Sequence, residues 1–385
     1  MKRTHLYFKK DRRECERFRS CVSLHGHTMH SKESMTFVSR LAAKYPSFRR
    51  FINDQLSRHH RAHHGADSVV PDLDQQMRRM WWTSPLSGTQ AFEIESNQIT
   101  EKVELPAIVS LTDHDTIEAN LRLQNAHDSS VAPISVEWTT PYHETYFHLG
   151  IHNLPPKSAS EWMSEMEQFT ANPTPQKLGE MLSELHRIPD TLLVFNHPIW
   201  DQPLIGREIH NRLMNQFIEQ YRPFVHALEL NGLRSGKENR TTMELAERQN
   251  LPLISGGDRH GDEPNSILHL TDAETFGEFA SDYRAGNHGA VLIMPHYEES
   301  LALRVIQQLH FMVADFPGQV DGRVRWSQRV FRVTADDELK TFWDILDGKD
   351  PKAMKVFLWG VKTLASKKMR PPIEFVSARD AQATL

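Results

Sequence analysis

The chain alternates between short apolar runs of strand length and longer segments with helical spacing of apolar positions. The apolar runs are residues 21–24, 107–111, 131–136, 146–151, 192–195, 227–228 and 253–255. Candidate helices lie between them at residues 115–127, 158–169, 174–187, 205–221 and 238–250. This alternation predicts βα units arranged around a mostly parallel sheet.

Two segments depart from this alternation. Residues 46–104 are too long for one crossover connection, so we expect them to form an insertion with a helix at 89–104. After residue 295, three helical runs at 298–315, 337–346 and 353–366 predict a helical C-terminal appendage. The predicted organisation is therefore one domain at 20–295, containing the insertion, followed by the appendage at 296–385.

The insertion holds two features that each have two interpretations. Histidines at 59, 60, 63 and 64 have the spacing of a helical metal site, but the flanking arginines and glycine favour a polar loop. Trp81 and Trp82 could stack on a base, although anchoring of the insertion on the main domain is the commoner role.

Composition narrows the class of protein. The 385 residues include 22 histidines but only two cysteines, and the net charge is −5 with neutral histidines. No apolar stretch is long enough for a membrane span, and the charged N-terminus lacks a secretory core, so we expect a cytoplasmic protein. The negative charge does not favour nucleic acid as the partner, although a local basic cleft would permit it. Nothing in the sequence indicates the oligomeric state.

Many of the histidines follow predicted strands, together with carboxylates. This set comprises His25, His27, His114, Glu137, His148, His197, Asp258 and His260. Strand ends converge in parallel α/β folds, and imidazoles with carboxylates but without thiolates favour Zn, Mn or Fe. His25 and His27 share a face of an extended segment, and a carboxylate such as Glu137 can bridge two cations, an arrangement suited to phosphoryl chemistry.

As an ordered set, these motifs resemble the PHP (polymerase and histidinol phosphatase) family of metal-dependent phosphoesterases. The motifs that carry the resemblance are SLHGHT at 23–28, LTDHD at 111–115, Glu137 with His148, HP at 197–198 and DRH at 258–260. The resemblance covers residues 22–260 and continues less clearly to 295. It implies an α/β fold, a distorted (β/α)7 TIM-like barrel, with two or three divalent Zn, Mn or Fe ions in its central cleft.

The resemblance also implies a distribution of ligands. One metal takes His25, His27, Glu137 and Asp258, a second shares Glu137 and adds His148 and His197, and a third uses His114 and His260. The family has an aspartate in a Tyr-Ser-Asp-Gly segment after the HxH motif, where this chain has Lys32. Glu33 or His30 could replace that aspartate, and we assign Glu33. The family's aspartate before Leu-His is Ser23 here.

The implied activity is hydrolysis of a phosphate ester by a metal-bridged hydroxide, with Asp113 or Asp258 positioning a proton. Arg234, Lys237 and Arg259 are the candidate phosphate-binding residues. The expected substrate is a small phosphomonoester or a nucleotide-type phosphodiester. The alternatives are an oligonucleotide exonuclease or phosphatase of the same fold, hydrolysis of an amide, and a non-catalytic binding module.

Overall fold

The computed structural model describes residues 4–8, 15–35, 72–128, 130–334, 338–350 and 352–381, with isolated positions between 39 and 65. The histidines at 59, 60, 63 and 64 lie outside the described residues, so their role stays a prediction. Within the described part of the chain, no helix is both long and apolar enough to traverse a membrane.

Two five-stranded sheets form the centre of the fold. The first has the order β1-β12-β11-β2-β5, and the second has the order β10-β9-β8-β7-β6. The strands of the first sheet are β1 (His5–Phe8), β2 (Ser20–Leu24), β5 (Ala107–Ser110), β11 (Ile267–Thr271) and β12 (Ala290–Ile293). Those of the second are β6 (Val136–Tyr142), β7 (Thr145–His152), β8 (Leu192–Phe195), β9 (Ala227–Asn231) and β10 (Leu253–Gly256). Strands β2 and β8 are buried along their whole length, as expected for apolar runs covered on both faces.

The sheets are mixed, whereas the sequence pattern predicted mostly parallel pairing. Strands β6 and β7 form an antiparallel hairpin, and β7 also pairs antiparallel with β8. The strand predicted at 131–136 starts at Val136 instead, because Pro133 cannot donate a ladder hydrogen bond in the preceding segment. Glu137 therefore lies inside a strand and does not follow one.

Among the described residues neither sheet closes on itself, so the distorted (β/α)7 TIM-like barrel that the resemblance implies is not shown. Isolated bridges from Gly26 to Arg259 and from His114 to Glu137 connect the sheets where the polar motifs lie. His25 (φ 63°) and Asp258 (φ 52°) adopt left-handed backbone conformations at these ends. Such residues interrupt regular pairing, so each ladder stops where the polar side chains begin.

Helices cover the sheets, and several of them begin at a side-chain cap. They are α1 (Leu73–Arg78), α2 (Gly88–Gln98), α3 (Glu118–Leu123), α4 (Ala159–Ala171), α5 (Pro175–Arg187), α6 (Arg207–Tyr221), α7 (Gly236–Gln249), α8 (Phe276–Arg284), α9 (Leu301–Val313), α10 (Phe342–Ile345), α11 (Lys352–Ala365) and α12 (Arg370–Ala381). A π-helical turn at Ile99–Val103 continues α2, in agreement with the predicted helix at 89–104. Ser87 and Ser235 each close a capping box, and Thr174 caps α5 ahead of Pro175.

The C-terminal segment is not purely helical, contrary to the prediction. Strands β13 (Val330–Val333) and β14 (Leu339–Thr341) join β3 (Glu33–Ser34) and β4 (Met80–Trp82) in a third sheet, of order β14-β13-β4-β3. These strands are only two to four residues long, too short to give a distinct alternation in the sequence. The buried Trp82 side chain packs with Trp326 and Val330, so it joins the insertion to the C-terminal segment, whereas the prediction was an anchor on the main domain.

Candidate metal centre

The HxH segment enters the centre directly from β2. The amide of His27 donates a hydrogen bond to the carbonyl of Arg259 (2.8 Å), which ties this segment to the chain after β10. Both imidazoles are almost fully buried, with 1% and 0% of the His25 and His27 residues exposed. Their ring centroids lie 5.1 Å apart. The structure therefore brings the two side chains together as predicted, although His25 (φ 63°) does not have the extended backbone on which the prediction rested.

Glu137 lies between imidazoles that come from both sheets. Its Oε1 is 3.2 Å from His148 Nδ1 and 3.1 Å from His197 Nε2. Its Oε2 is 3.0 Å from His25 Nε2, and 3.4 Å from both His27 Nε2 and His114 Nδ1. The two oxygens therefore face different histidines, which is the geometry a bridging carboxylate requires.

The hairpin explains the spacing between Glu137 and His148. Glu137 pairs with Gly150, and His148 pairs with Thr139, so Glu137 and His148 are diagonal neighbours on one face. A Cβ atom on Gly150 would lie 2.8 Å from both Asn196 Oδ1 and His152 Nε2. Glycine at this position leaves room for the side chains packed beneath the centre.

Glu33 completes a second cluster. Its Oε2 lies 3.0 Å from His260 Nε2 and 3.3 Å from His114 Nε2, and its Oε1 lies 3.4 Å from His27 Nδ1. His260 Nδ1 donates to the carbonyl of Asp258 (2.8 Å), which leaves the Nε2 lone pair directed toward Glu33. The structure thus places Glu33 beside His114 and His260, the two residues predicted to hold the third ion.

Asp258 lies between the histidines and a basic side chain. Its Oδ1 is 3.7 Å from His27 Nε2 and 3.8 Å from His25 Nε2, and its Oδ2 accepts a hydrogen bond from Arg234 Nη2 (3.0 Å). The Arg234 guanidinium stacks on the Trp200 ring, 3.8 Å from its centroid. Arg234 is therefore held at the edge of the centre, as expected for a residue that contacts phosphate.

Four groups of side chains each bring their ligand atoms within 4.8 Å of one another. The groups are His25–Glu137–His197, His25–His27–Asp258, His114–Glu137–His148 and His27–Glu33–His114–His260. All nine predicted ligands belong to at least one group. Compared with the predicted distribution, His27 also approaches the third site, and His114 also approaches the Glu137–His148 pair.

The donor atoms fit divalent cations. Glu137 Oε2, His25 Nε2, His27 Nε2 and His148 Nδ1 are buried and make no hydrogen bond of acceptable geometry within the described residues. Buried polar atoms are almost always satisfied. Here they converge at 3.0–3.4 Å without hydrogen-bond alignment, which is consistent with atoms directed at a shared ion.

Electrostatics at the centre keep the carboxylates ionised. Burial pushes the pKa of Glu137 upward, but the nearby His25 and His114 hold it well below its usual value. Burial also lowers the pKa of His114, yet Glu33 and Glu137 raise it to about 10. The acidic groups thus attract positive charge to this position. A bound cation would replace the proton on His114, because metal ligands bind in the deprotonated form.

A second layer of polar groups, which the sequence interpretation missed, orients the ligands. Glu229 Oε1 is 2.5 Å from His25 Nδ1, while its Oε2 accepts hydrogen bonds from the amide of His197 (2.8 Å) and from Asn231 Nδ2 (2.9 Å). Asn196 Nδ2 donates to Glu137 Oε1 (3.0 Å). The position of Glu229 at a strand end was visible in the sequence, but no motif indicated that it contacts His25.

Three predicted residues do not contact the centre in the predicted way. Asp113 accepts hydrogen bonds from the amide and the hydroxyl of Thr28 (2.5 and 2.6 Å), so it fixes the turn that follows the HxH segment. It does not line the cavity next to the candidate ligands, which is described below. Arg259 is 2% exposed, and its Nε is 2.5 Å from Glu95 Oε1, which places the guanidinium in a buried ion pair. Lys237 is exposed on α7 and does not line the cleft.

A cavity of about 500 Å³ opens above the centre. Its floor includes Glu33, Asp258 and four of the histidines, and its wall includes Arg234 and a face of α9. The cavity is large enough for a small-molecule ligand. Substrate could therefore reach the clustered side chains from this cleft.

Comparison with known proteins gives limited information. No known family profile and no curated protein sequence matches the chain. An amidohydrolase from Chromobacterium violaceum, solved with bound sulfate and no metal, is 14% identical with a TM-score of 0.33, over 46% of this chain and 84% of that one. A Bifidobacterium adolescentis protein, named for an inferred metal-dependent phosphoesterase activity, is 14% identical with a TM-score of 0.32, over 53% of this chain and 91% of that one. At this level of similarity, the function has to be inferred from the centre itself.

Proposed function

We propose that the protein is a metal-dependent hydrolase of phosphate esters, of the PHP type. The observation that supports this proposal is Glu137, whose two oxygens face different sets of buried imidazoles. A carboxylate in that position can join two cations, and paired cations are a common means of phosphoryl transfer. Zn, Mn and Fe are the ions that suit an imidazole and carboxylate site of this kind.

The four groups of side chains described above would hold two or three divalent ions. Bound cations would lower the pKa of a shared water molecule and neutralise the phosphate oxygens. The reaction adds water across the ester: oxygen from water joins phosphorus, the P–O ester bond breaks, and the leaving oxygen gains a proton. The products are inorganic phosphate and an alcohol for a monoester substrate.

The chain's own residues have distinct roles in this proposal. Arg234, held by Asp258 and Trp200 at the cleft, would bind a phosphate oxygen. Glu229 fixes the orientation of the His25 ring, and Asp113 fixes the turn that carries His27. Asp258 lines the cleft and remains the candidate for positioning a proton.

Metal analysis followed by a substrate screen tests the proposal. The purified protein should contain transition metal, and it should hydrolyse one class among phosphomonoesters, phosphodiesters and short oligonucleotides. Absence of both metal and metal-stimulated hydrolysis would refute it. Metal retained without hydrolysis of any ester would instead support the binding-module alternative, and preferential cleavage of oligonucleotide ends would support the exonuclease alternative.

A pair of double variants locates the activity. His25→Ala with His27→Ala should abolish hydrolysis and reduce bound metal while leaving the circular dichroism spectrum unchanged. The matched control is His5→Ala with His127→Ala, which also removes two imidazoles, but outside all four groups of candidate ligands. If the first variant retained activity, the assigned centre would be wrong.

A further inference from the structure

The cavity has two chemically different sides. The metal-ligating side chains form one side, and six apolar side chains contribute to the rest: Trp82, Trp200, Leu233, Val305, Leu309 and Met312. The aliphatic members Leu233, Val305 and Leu309 have no atom that binds phosphate or a metal ion. The motifs of the centre therefore do not account for this part of the cavity.

Helix α9 supplies one continuous part of the apolar wall. Val305, Leu309 and Met312, with Gln308, recur at helical spacing, so one face of α9 is turned toward the cavity. Val305 is 47% exposed, which places it at the mouth, whereas Leu309 and Met312 are only partly exposed. The wall comes from the segment after residue 295, outside the region of the PHP resemblance.

The wall is fixed to the loop that carries Arg234. Arg304 of α9 is 4% exposed and donates hydrogen bonds to the carbonyls of Gly232 and Arg234. Its guanidinium also lies 4.5 Å from the centroid of the Tyr297 ring. These hydrogen bonds link the apolar face to the loop that carries the candidate phosphate-binding residue, so both can contact one ligand.

Charge limits the kind of ligand that fits. Among the described side chains that line this cavity, Arg234 is the one with a permanent positive charge, and it already pairs with Asp258. Polyanions such as nucleic-acid strands rely on several basic contacts along the phosphate backbone. One phosphate at the metal centre and an uncharged remainder satisfy both sides of the cavity.

We propose that the cleft selects phosphate esters whose alcohol portion is apolar, such as an aryl or a branched alkyl group, and that α9 determines this selectivity. The inference rests on the proposed function, and it specifies the substrate class. Cavities of this size and lining bury most of the surface of a small ligand. The apolar portion would contact Leu309 and Met312 while the phosphate lies against the centre.

Ligands that cannot be hydrolysed test the inference separately from catalysis. Benzylphosphonate, methylphosphonate and 2-aminoethylphosphonate share one head group and differ in the attached carbon group. By titration calorimetry on the metal-loaded protein, benzylphosphonate should bind about 10-fold more tightly than methylphosphonate. Equal affinities, or tightest binding of the charged aminoethyl compound, would overturn the inference.

Variants of α9 assign the selectivity to the apolar wall. Leu309→Asn should remove most of the preference for benzylphosphonate and leave methylphosphonate binding unchanged. Ala302→Asn, at an exposed position of the same helix that does not line the cavity, is the matched control. If Leu309→Asn does not fold, Val305→Asn at the mouth makes the same test. Unchanged selectivity in a folded wall variant would overturn the role of α9.

Hydrolysis then separates this inference from the proposed function. Among esters with matched leaving-group acidity, those of apolar alcohols should have the higher kcat/KM. Faster hydrolysis of charged esters would overturn the inference and leave the function intact. Failure to hydrolyse any ester, with the phosphonate preference preserved, would overturn the function while the apolar selectivity of the cleft remains.

Discussion

Glu229→Gln provides a specific test of how the centre is organised. Glu229 Oε2 accepts two hydrogen bonds, from the amide of His197 and from Asn231, so a glutamine there would keep its oxygen on that side. Its NH2 group would then face His25 Nδ1, where Glu229 Oε1 now lies at 2.5 Å. His25 would have to accept at Nδ1 and carry its proton on Nε2, the atom directed toward Glu137. A protonated Nε2 cannot bind a metal ion.

The expected loss of metal affinity follows from the lost hydrogen bond between His25 Nδ1 and Glu229 Oε1. A hydrogen bond to a charged group contributes about 1.5–3 kcal/mol to stability. Since about 1.4 kcal/mol corresponds to a tenfold change in affinity, metal binding should weaken about 10- to 100-fold. Glu229→Ala loses the same hydrogen bond to His25, which sets the lower end of this range, but it does not impose a donor on Nδ1. It should therefore weaken metal binding less than Glu229→Gln, although glutamine is closer to glutamate in shape.

Competition with a fluorescent zinc chelator measures both affinities, and circular dichroism verifies folding. Glu144→Gln, which changes an exposed glutamate, is the control for the removal of one negative charge. If the folded Glu229→Gln variant bound zinc as tightly as the wild-type protein, the reasoning would be refuted. Weaker metal binding by Glu229→Ala than by Glu229→Gln would show that packing, and not the His25 tautomer, determines affinity.

Three further predictions concern separate parts of the chain. Glu33→Ala should remove one metal equivalent per protein by elemental analysis, whereas His30→Ala, outside every candidate ligand group, should retain it. Gly256→Ala should weaken metal binding in the same chelator assay, because its Cβ would lie 1.7 Å from Glu229 Oε1; unchanged affinity would contradict this. Burial lowers the pKa of His226 to about 3, whereas its ordinary value is 6.5. Below pH 6.5 the unfolded chain therefore binds more protons than the folded chain, and the free energy of unfolding decreases as the pH falls toward 3. His226→Asn preserves an acceptor for the Leu193 amide. In urea titrations, this variant should lose about 2 kcal/mol less unfolding free energy between pH 7 and 5 than the wild-type protein. An unchanged loss would refute the lowered pKa of His226.

The clustering of the candidate ligands was predicted better than the sheet topology. Apolar runs followed by polar clusters placed His25, His197 and Asp258 at strand ends, which is where the structure has them. The same pattern carries no information about strand direction, because a fully buried strand has a similar composition in parallel and antiparallel pairing. The antiparallel pairings of β7 were therefore missed.

The residues that were misplaced depend on contacts between distant parts of the chain. Arg259 lies between two ligands in sequence, but its pairing with Glu95 requires the packing of α2 against the centre. The helix predicted from Asp115 begins at Glu118 instead, since Asp115 has a φ of 52° and cannot belong to the helix. Local sequence patterns do not reveal a distant ion-pair partner or the backbone conformation of a single residue.

The third sheet determines the order in which the cleft can form. Glu33 of β3 pairs with Trp82 of β4, and Trp82 pairs in turn with Val330 of β13. Contacts between residues far apart in the chain form slowly, because a large loop has to close first. During synthesis, Glu33 leaves the ribosome early but acquires this support only after β13 has emerged. The ligand group that contains Glu33 is therefore fully supported only after β13 has been synthesised, and metal capture before that point has to rely on other ligands.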